Sequence, residues 1–295
     1  MTAFGTALAI VRISVDPVAV ALGPVRVHWY GIAYAAAFAV AYRCAAVPHL
    51  VPRGVERRQV ERVVSTCIIT GLIGARLYYV LQSDTDYYLN NPLHILALWE
   101  GGMAFFGAII ATVLTVLVLS RRLAISAWLL LDAGALFGAV GQPIGRLGNL
   151  VNGDILGAPS TLPWATAYTN PHAVLQSGFA LCTSVHCTAY QPAAAYEGVA
   201  TLLILGVLLA LRRRRARTGL LGISYVWMYG LSQLIVFFWR AHLPLFHGLA
   251  QAQWSGIVAM VVVTPVLLVL WRRSDAARTA PLASTGAQPP AAATA

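Results

Sequence analysis

The sequence predicts an all-α, polytopic membrane protein with about seven transmembrane helices, and three observations support this prediction. Hydrophobic residues form 59% of the 295-residue chain, whereas charged residues form only 10%. Apolar segments of the roughly 20 residues that a membrane-crossing helix needs recur along the chain. The basic residues lie mostly between these segments. This composition excludes a soluble enzyme and is typical of a protein that crosses the membrane several times.

Each apolar segment is long enough to cross the membrane as a helix and contains few charged residues. The predicted spans cover roughly 29–47, 63–82, 103–120, 125–145, 193–211, 219–239 and 251–271. We assign residues 1–273 to one integral-membrane domain. Residues 274–295 are rich in Ala, Pro, Thr and Ser, and are predicted to be a disordered cytoplasmic tail.

The arginines predict the orientation of the chain. All 20 basic residues are arginines, and 15 of them lie around alternate connections or after the last span. These 15 are Arg43, Arg53, Arg57, Arg58, Arg62, Arg121, Arg122, Arg212, Arg213, Arg214, Arg215, Arg217, Arg272, Arg273 and Arg278. Short cytoplasmic connections of membrane proteins carry an excess of positive charge. We therefore predict an outer N-terminus and a cytoplasmic C-terminus, and we expect no nucleic-acid partner despite the net charge of +10.

Topology does not explain the other five arginines; Arg12 and Arg26 precede the first span, and the other three lie in or near spans. Arg76, Arg146 and Arg240 are predicted in, or at the outer end of, the second, fourth and sixth spans. Burying an ionisable group there without a partner costs several kcal/mol. Each side chain alone could instead extend to the lipid headgroups. Three arginines at the same membrane face favour a shared anionic ligand.

The stretch 145–157 ends the fourth span with polar residues that an apolar helix does not need. If the helix continues to Asn149, then Arg146 and Asn149 lie three residues apart on one helix face. A guanidinium group suits phosphate, and an amide can fix its orientation. The stretch therefore predicts a lateral or outward-opening cavity for the headgroup of an anionic phospholipid, with no cofactor and no metal ion.

The loop 150–192 is the one long connection on the predicted outer face. A loop of this length is usually functional or disordered, and its aromatic residues favour an ordered cap. Cys182 and Cys187 lie within it and could form a disulfide if the loop faces an oxidising compartment.

Four motifs together resemble the prolipoprotein diacylglyceryl transferases, over residues 16 to about 271. The motifs are His28-Trp29-Tyr30-Gly31, Trp99-Glu100-Gly101-Gly102-Met103, Gly145-Arg146-Leu147-Gly148-Asn149 followed by Asn152-Gly153, and Tyr196-Glu197. The resemblance implies a multi-pass protein of the bacterial inner membrane with a site open to the outer leaflet. It implies transfer of the sn-1,2-diacylglyceryl group of phosphatidylglycerol to the lipobox cysteine of a prolipoprotein signal peptide. The products would be a thioether and glycerol phosphate.

The resemblance and the residue pattern together give a set of candidate site residues. Arg146 resembles the family's phosphatidylglycerol-binding arginine, and Asn149, Gly157, Tyr30 and Tyr229 match other functional positions. We predict catalytic roles for Arg146, Asn149, Asp154 and Tyr30, and lipid contacts for Arg146, Arg76, Asn152, Gly157, Tyr229, Arg240 and Glu197. The base that deprotonates the thiol stays open between Asp154, Glu197 and a group on the lipobox side.

The chain also departs from the family pattern at several motif positions. Phe106, Gln233 and Phe237 stand where the resemblance leads us to expect His, Arg and Glu. Asp154 is a shortened acid, Gln191-Pro192 replaces His-Pro, and Ala194 replaces Gln. One alternative is therefore a catalytically degenerate paralogue that binds phospholipid or signal peptide, or performs another phospholipid-dependent transfer. A transporter or channel is less favoured, because the polar residues become sparse toward the cytoplasmic half.

Overall fold

The computed structural model describes residues 10–23, 25–83, 85–97, 102–214, 216–242 and 244–279, most of which are helical. The α-helices are α1 Trp29–Ala41, α2 Val47–Leu50, α3 Arg57–Gln82, α4 Thr85–Asn90, α5 Phe105–Arg122, α6 Ala127–Asn152, α7 Ala193–Arg213, α8 Leu220–Val236 and α9 Gln251–Thr279. A π-helical segment, Tyr42–Ala46, joins α1 to α2, and a 3-10 turn, Val51–Arg53, follows α2. A second 3-10 segment, Pro92–Leu96, precedes α5.

The helices are those of a polytopic membrane protein. Within the described residues, six helical segments are long and apolar enough to cross a membrane, and α8 is apolar but has 17 residues. At a rise of 1.5 Å per residue, 17 residues extend about 26 Å, slightly less than the ~30 Å hydrocarbon core of a bilayer. The predicted apolar segments are thus confirmed as helices.

Helix α6 ends seven residues later than its apolar composition predicts. The apolar composition ends near residue 145, but the helix continues to Asn152. It stops at Gly153, which takes the left-handed conformation (φ 89°) that ends many helices. Gly145 and Gly148 allow the polar last turns to pack closely on Tyr34 and Tyr30 of α1. Packing and the terminal glycine, rather than hydropathy, therefore set the end of α6.

Helix α6 is the centre of the bundle and packs against α1, α7 and α8, while α3 packs against α5 and α9 against α8. Glycines bring two of these pairs together. A Cβ atom added at Gly74 or Gly107 would overlap the backbone of the facing helix, and one at Gly230 or Gly256 would come within 3 Å of the facing carbonyl oxygen. Small residues at such crossings let apolar helices approach closely in a membrane.

One buried acid helps to join α6 to α8. The Asp132 carboxylate is 2% exposed and accepts hydrogen bonds from the N–H groups of Gly219 and Gly222, each at 2.7 Å. These N–H groups lie at the start of α8, where helical N–H groups have no partner within the helix. The charge is thereby satisfied by a helix N-terminus, so it needs no separate cation.

The connection between α6 and α7 is an ordered cap, as predicted, but it contains strands and includes the N-terminal segment. Strand β1 (Val11–Ile13) pairs in parallel with β4 (Thr166–Tyr168), and β2 (Val18–Leu22) forms a hairpin with β3 (Val25–His28). The all-α prediction is therefore corrected to mostly helical. The reason is the content of β-branched valine in segments such as Val18–Leu22, which favours a strand. We call residues 10–23, 25–28 and 153–192 the cap.

The cap has a small core and a disulfide of its own. Leu156, Tyr168 and Tyr190 are buried together, and Cys182 is bonded to Cys187. The Tyr168 hydroxyl donates to the Leu150 carbonyl at 2.8 Å, which holds the cap on the end of α6.

At the other end of the chain, α9 continues to Thr279, six residues beyond the predicted domain boundary at 273. The rest of the predicted tail lies outside the described residues.

Candidate functional site

Two arginines meet one buried glutamate where α6 ends, α7 begins and the chain leaves α8. Glu197 is 2% exposed, and its Oε1 accepts a hydrogen bond from Arg240 Nη1 at 2.7 Å. Its Oε2 forms an ion pair with Arg146 Nη2. We call these three residues the arginine–glutamate cluster. Two of the three arginines that topology leaves unexplained are therefore brought together.

Local sequence explains why Glu197 can occupy this position. It lies in the second turn of α7, which begins at Ala193 after Pro192. The next residue, Gly198, faces the Arg146 side chain, and a Cβ atom there would lie 3.5 Å from Arg146 Cβ. A buried carboxylate is costly unless it is paired and hydrogen-bonded. Each carboxylate oxygen of Glu197 is paired with one guanidinium group, and Oε1 also accepts the hydrogen bond from Arg240.

Asn149 connects the cluster to a second carboxylate. Arg146 Nη1 donates to Asn149 Oδ1 at 3.4 Å, which confirms that these residues share one face of α6. Asn149 Nδ2 then donates to both Asp154 oxygens, at 3.1 and 3.0 Å. Gly153 (φ 89°) and Ile155 (φ 59°) turn the chain back, so that Asp154 returns over the last turn of α6. A β-branched residue such as isoleucine rarely adopts a positive φ.

Burial also changes the acidity of Asp154. Desolvation raises the pKa of its carboxyl above the usual value near 3.8, although Asn149, Asn152 and Arg146 stabilise the charged form. The side chain of Asn152 is 8% exposed, and its Oδ1 has no hydrogen-bond partner among the described residues. An acceptor without a partner thus lies beside a carboxylate that protonates more readily than usual.

Gly157 positions Arg240 through the backbone. The two residues form an antiparallel bridge, in which Ala158 N–H donates to the Trp239 carbonyl at 3.1 Å. Gly157 N–H donates to the Gln191 carbonyl at 2.8 Å. A Cβ atom at Gly157 would overlap both the Trp239 carbonyl and the Gln191 side chain. Only glycine fits between these two segments.

A family model described as prolipoprotein diacylglyceryl transferase matches residues 17–271. The chain belongs to this family. Three relatives are named phosphatidylglycerol–prolipoprotein diacylglyceryl transferase. The protein from Bordetella avium is 33% identical over 271 residues, which cover 88% of this chain and 96% of the relative. Those from Rhodospirillum centenum and Halalkalibacterium halodurans are 34% and 31% identical, over 75% and 88% of this chain and 78% and 86% of their own lengths.

Two tyrosines of this diacylglyceryl transferase family member flank the cluster. Tyr229 of α8 faces Arg146 and lies 5.8 Å from Tyr225 in a stacked pair. Tyr30 of α1 faces Asp154 and Arg146, and its ring lies 4.7 Å from that of Tyr34. Both predicted tyrosines are thus placed beside the polar residues at the end of α6.

Unlike Arg146 and Arg240, Arg76 is surrounded by backbone carbonyl groups. It is 3% exposed and donates to the carbonyls of Ile95 at 2.9 Å, Gly102 at 3.1 Å and His94 at 2.5 Å. The ring of Tyr79 lies 5.7 Å from its guanidinium carbon. Arg76 therefore binds the backbone that leads into α5, and its predicted lipid contact stays a prediction. Trp99, Glu100 and Gly101 of the motif in this connection lie outside the described residues.

Two contacts at the cluster were not predicted from the sequence of the transferase. The Arg240 guanidinium carbon lies 4.7 Å from the centre of the Phe237 ring, a favourable distance for a cation–π contact. Gln142 lies four residues before Arg146, faces Tyr229 and accepts from the Thr201 hydroxyl at 3.2 Å. The four-residue spacing in α6 was a signal that could have identified Gln142.

The first prediction concerns Gly157 in this transferase. Gly157→Ala is expected to reduce diacylglyceryl transfer by about 100-fold, because displacement of the reacting groups by ~1 Å can cost that much. The added methyl group must push the Trp239 backbone away, and Arg240 follows it. Initial rates of transfer to a lipobox peptide would measure the effect. Gly206→Ala in α7, where no atom lies within 4 Å of the added Cβ, is the control. Equal rates for the two variants would contradict the positioning role.

Proposed function

We propose that this chain transfers the sn-1,2-diacylglyceryl group of phosphatidylglycerol to the lipobox cysteine thiol of a prolipoprotein signal peptide. The products are a thioether and glycerol phosphate. Family membership and the activity named for the three relatives support this reaction. The observation that carries the proposal is the arginine–glutamate cluster, which holds two guanidinium groups at one end of an apolar helical bundle.

The cluster suits a phosphodiester whose negative charge grows during the reaction. When the bond between the glycerol carbon and the phosphate oxygen breaks, the leaving group becomes glycerol phosphate. A guanidinium group has five N–H donors, and the contacts of Arg146 with Glu197, Asn149 and Tyr229 do not occupy all of them. The remaining donors can hold phosphate oxygens and stabilise the developing charge. Glu197 keeps both guanidinium groups oriented before lipid binds.

The same arrangement supports an orientation in the bacterial inner membrane. The cluster and the cap lie at the ends of α6, α7 and α8 that are opposite to the arginine-rich connections. Positive charge is retained on the cytoplasmic side of membrane proteins. We therefore place the site toward the outer leaflet, with the N-terminus outside and residues 1–273 as the transferase domain. The disulfide of the cap fits an oxidising outer compartment.

A complementation experiment tests the function. In a bacterium whose own transferase is depleted, this chain is expected to restore growth and to convert prolipoprotein to its diacylglyceryl form. The control is Arg213→Ala, which removes an exposed arginine at the end of α7 away from the cluster. If the chain is expressed and inserted, but neither growth nor thioether product appears, the transferase proposal is wrong. Phosphatidylglycerol that co-purifies without any product would instead identify the degenerate lipid-binding paralogue.

A further inference from the structure

The structure separates two carboxylates that the sequence left as alternatives for the thiol base. We propose that Asp154 accepts the proton of the lipobox thiol and that Glu197 is a positioning residue. This inference rests on the proposed transferase function and adds a catalytic role to it.

Glu197 is poorly placed to accept a proton. Its two oxygens hold Arg146 and Arg240, one each, in a position that is 2% exposed. Protonation would remove the only carboxylate that binds both guanidinium groups in the described structure. Two buried positive charges would then face each other without compensation, which is strongly unfavourable. Glu197 therefore has to stay charged throughout the reaction.

Asp154 has the free capacity that Glu197 lacks. An ionised carboxylate offers about four lone-pair positions. Its side-chain partners are neutral amides: Asn149 Nδ2 donates to both oxygens, at 3.1 and 3.0 Å, and the Asn152 side chain is also hydrogen-bonded to the carboxylate. A neutral amide does not hold the negative charge as a guanidinium group does. Asp154 can therefore gain a proton without breaking an ion pair.

The charges around Asp154 are consistent with this role. Arg146 of α6, Tyr30 of α1 and Tyr168 of β4 are the titratable residues that face it. Asn149 connects Arg146 to Asp154. Its Oδ1 accepts from Arg146, and its Nδ2 donates to Asp154. The Asn149 amide therefore lies between two groups with different roles. Arg146 would hold the leaving phosphate, and Asp154 would receive the proton. Burial raises the pKa of Asp154, which makes it a better proton acceptor.

A second observation indicates where a hydrogen-bond donor of the substrate could bind. Asn152 Oδ1 is buried beside the Asp154 carboxylate and has no hydrogen-bond partner in the described part of the chain. Buried acceptors are usually hydrogen-bonded. A thiol S–H or a hydroxyl group of the glycerol headgroup would satisfy Asn152 at the point where the thiol has to approach Asp154.

The proposed step balances without a further reactant. The S–H bond breaks, and its proton moves to an Asp154 oxygen. The thiolate sulfur forms a bond to the terminal glycerol carbon of the diacylglyceryl group. The bond between that carbon and the phosphate oxygen breaks, and its electron pair leaves with glycerol phosphate. Asp154 afterwards releases the proton to water.

The test compares Asp154→Asn with wild type on two lipobox peptides, one with cysteine and one with selenocysteine. A selenol is already ionised at neutral pH and needs no base. With the cysteine peptide, Asp154→Asn is expected to be slower by about 100- to 10,000-fold, the usual contribution of a general base. With the selenocysteine peptide, the expected loss is less than about tenfold. Asp154→Glu should recover part of the activity, and Asp86→Asn in α4, which is exposed, is the matched control.

The pH profile gives an independent measurement. Asp154 accepts a proton only when ionised, so the wild-type rate should fall as the pH drops through its pKa, which is raised above 3.8. Asp154→Asn should lack this acidic limb. Equal losses with both peptides, or no loss with either, would overturn the assignment of Asp154 as the base. A wild-type protein that is inserted but inert with both peptides would instead overturn the transferase function.

Discussion

Replacing Arg146 with alanine is expected to reduce diacylglyceryl transfer by about 100- to 1,000-fold, the usual effect of removing one group that stabilises transition-state charge. Arg146 contacts both Glu197 and Asn149. Its loss removes the donors for the phosphate and also separates the cluster from Asp154. The turnover number should fall more than the apparent affinity for phosphatidylglycerol, because the charge to be stabilised develops mainly in the transition state.

Lysine at the same position separates charge from geometry. Arg146→Lys keeps a positive charge for Glu197 but loses the planar group that can bind two phosphate oxygens together. We expect it to be inserted normally and to remain at least about tenfold slower than wild type. Arg213→Ala, at the end of α7 away from the cluster, should match wild type. Arg146→Lys activity equal to wild type would show that a point charge is sufficient and that the guanidinium geometry is unimportant.

The helical part of the fold was predictable because membrane insertion depends on local composition. An apolar segment of sufficient length becomes a helix, whichever residues it later contacts. For this reason all seven predicted segments appear as helices. Their ends were less predictable, since Gly153 and packing on α1 extend α6 through residues that are polar.

The cap was less predictable because its pairings are not local. Val11 pairs with Thr166, and the Asn170 side chain donates to the Ser14 carbonyl, 156 residues away along the chain. Alternating residues can indicate a short strand, but they do not identify a partner so distant in sequence. His172 Nδ1 also lies 2.8 Å from Asp16 Oδ2, a hydrogen-bonding contact that likewise depends on the tertiary fold.

The sequence indicated which arginines need a polar partner, but it did not indicate which partner each arginine has. An arginine in or just after an apolar segment requires a partner, and Arg146 and Arg240 both pair with Glu197. The same argument marked Arg76, whose partners are backbone carbonyls that carry no sequence signal. Glu197 and Arg240 are separated by 43 residues, so only the folded chain shows that one carboxylate holds both cluster arginines.

Replacing Glu197 with glutamine is expected to destabilise the protein by about 3–5 kcal/mol, the usual cost of removing one partner from a buried ion pair. Glutamine has nearly the same shape, but it leaves Arg146 and Arg240 as uncompensated charges. Thermal or denaturant unfolding in detergent micelles would measure the loss. Transfer should also fall sharply, because both guanidinium groups lose the carboxylate that orients them.

A double-mutant cycle distinguishes loss of charge balance from loss of packing. Glu197→Gln combined with Arg240→Gln removes one charge of each sign and leaves Arg146 in place. The double variant is expected to be more stable than the sum of the single losses predicts, by about 1–3 kcal/mol, because contacting residues are coupled. Its transfer activity should stay low, since only one of the two guanidinium groups of the cluster remains. Glu197→Gln combined with the distant Gly206→Ala should show additive effects. Additive losses in the Glu197–Arg240 cycle would mean that the ion pair contributes nothing to stability, and that Glu197 is buried for its shape alone.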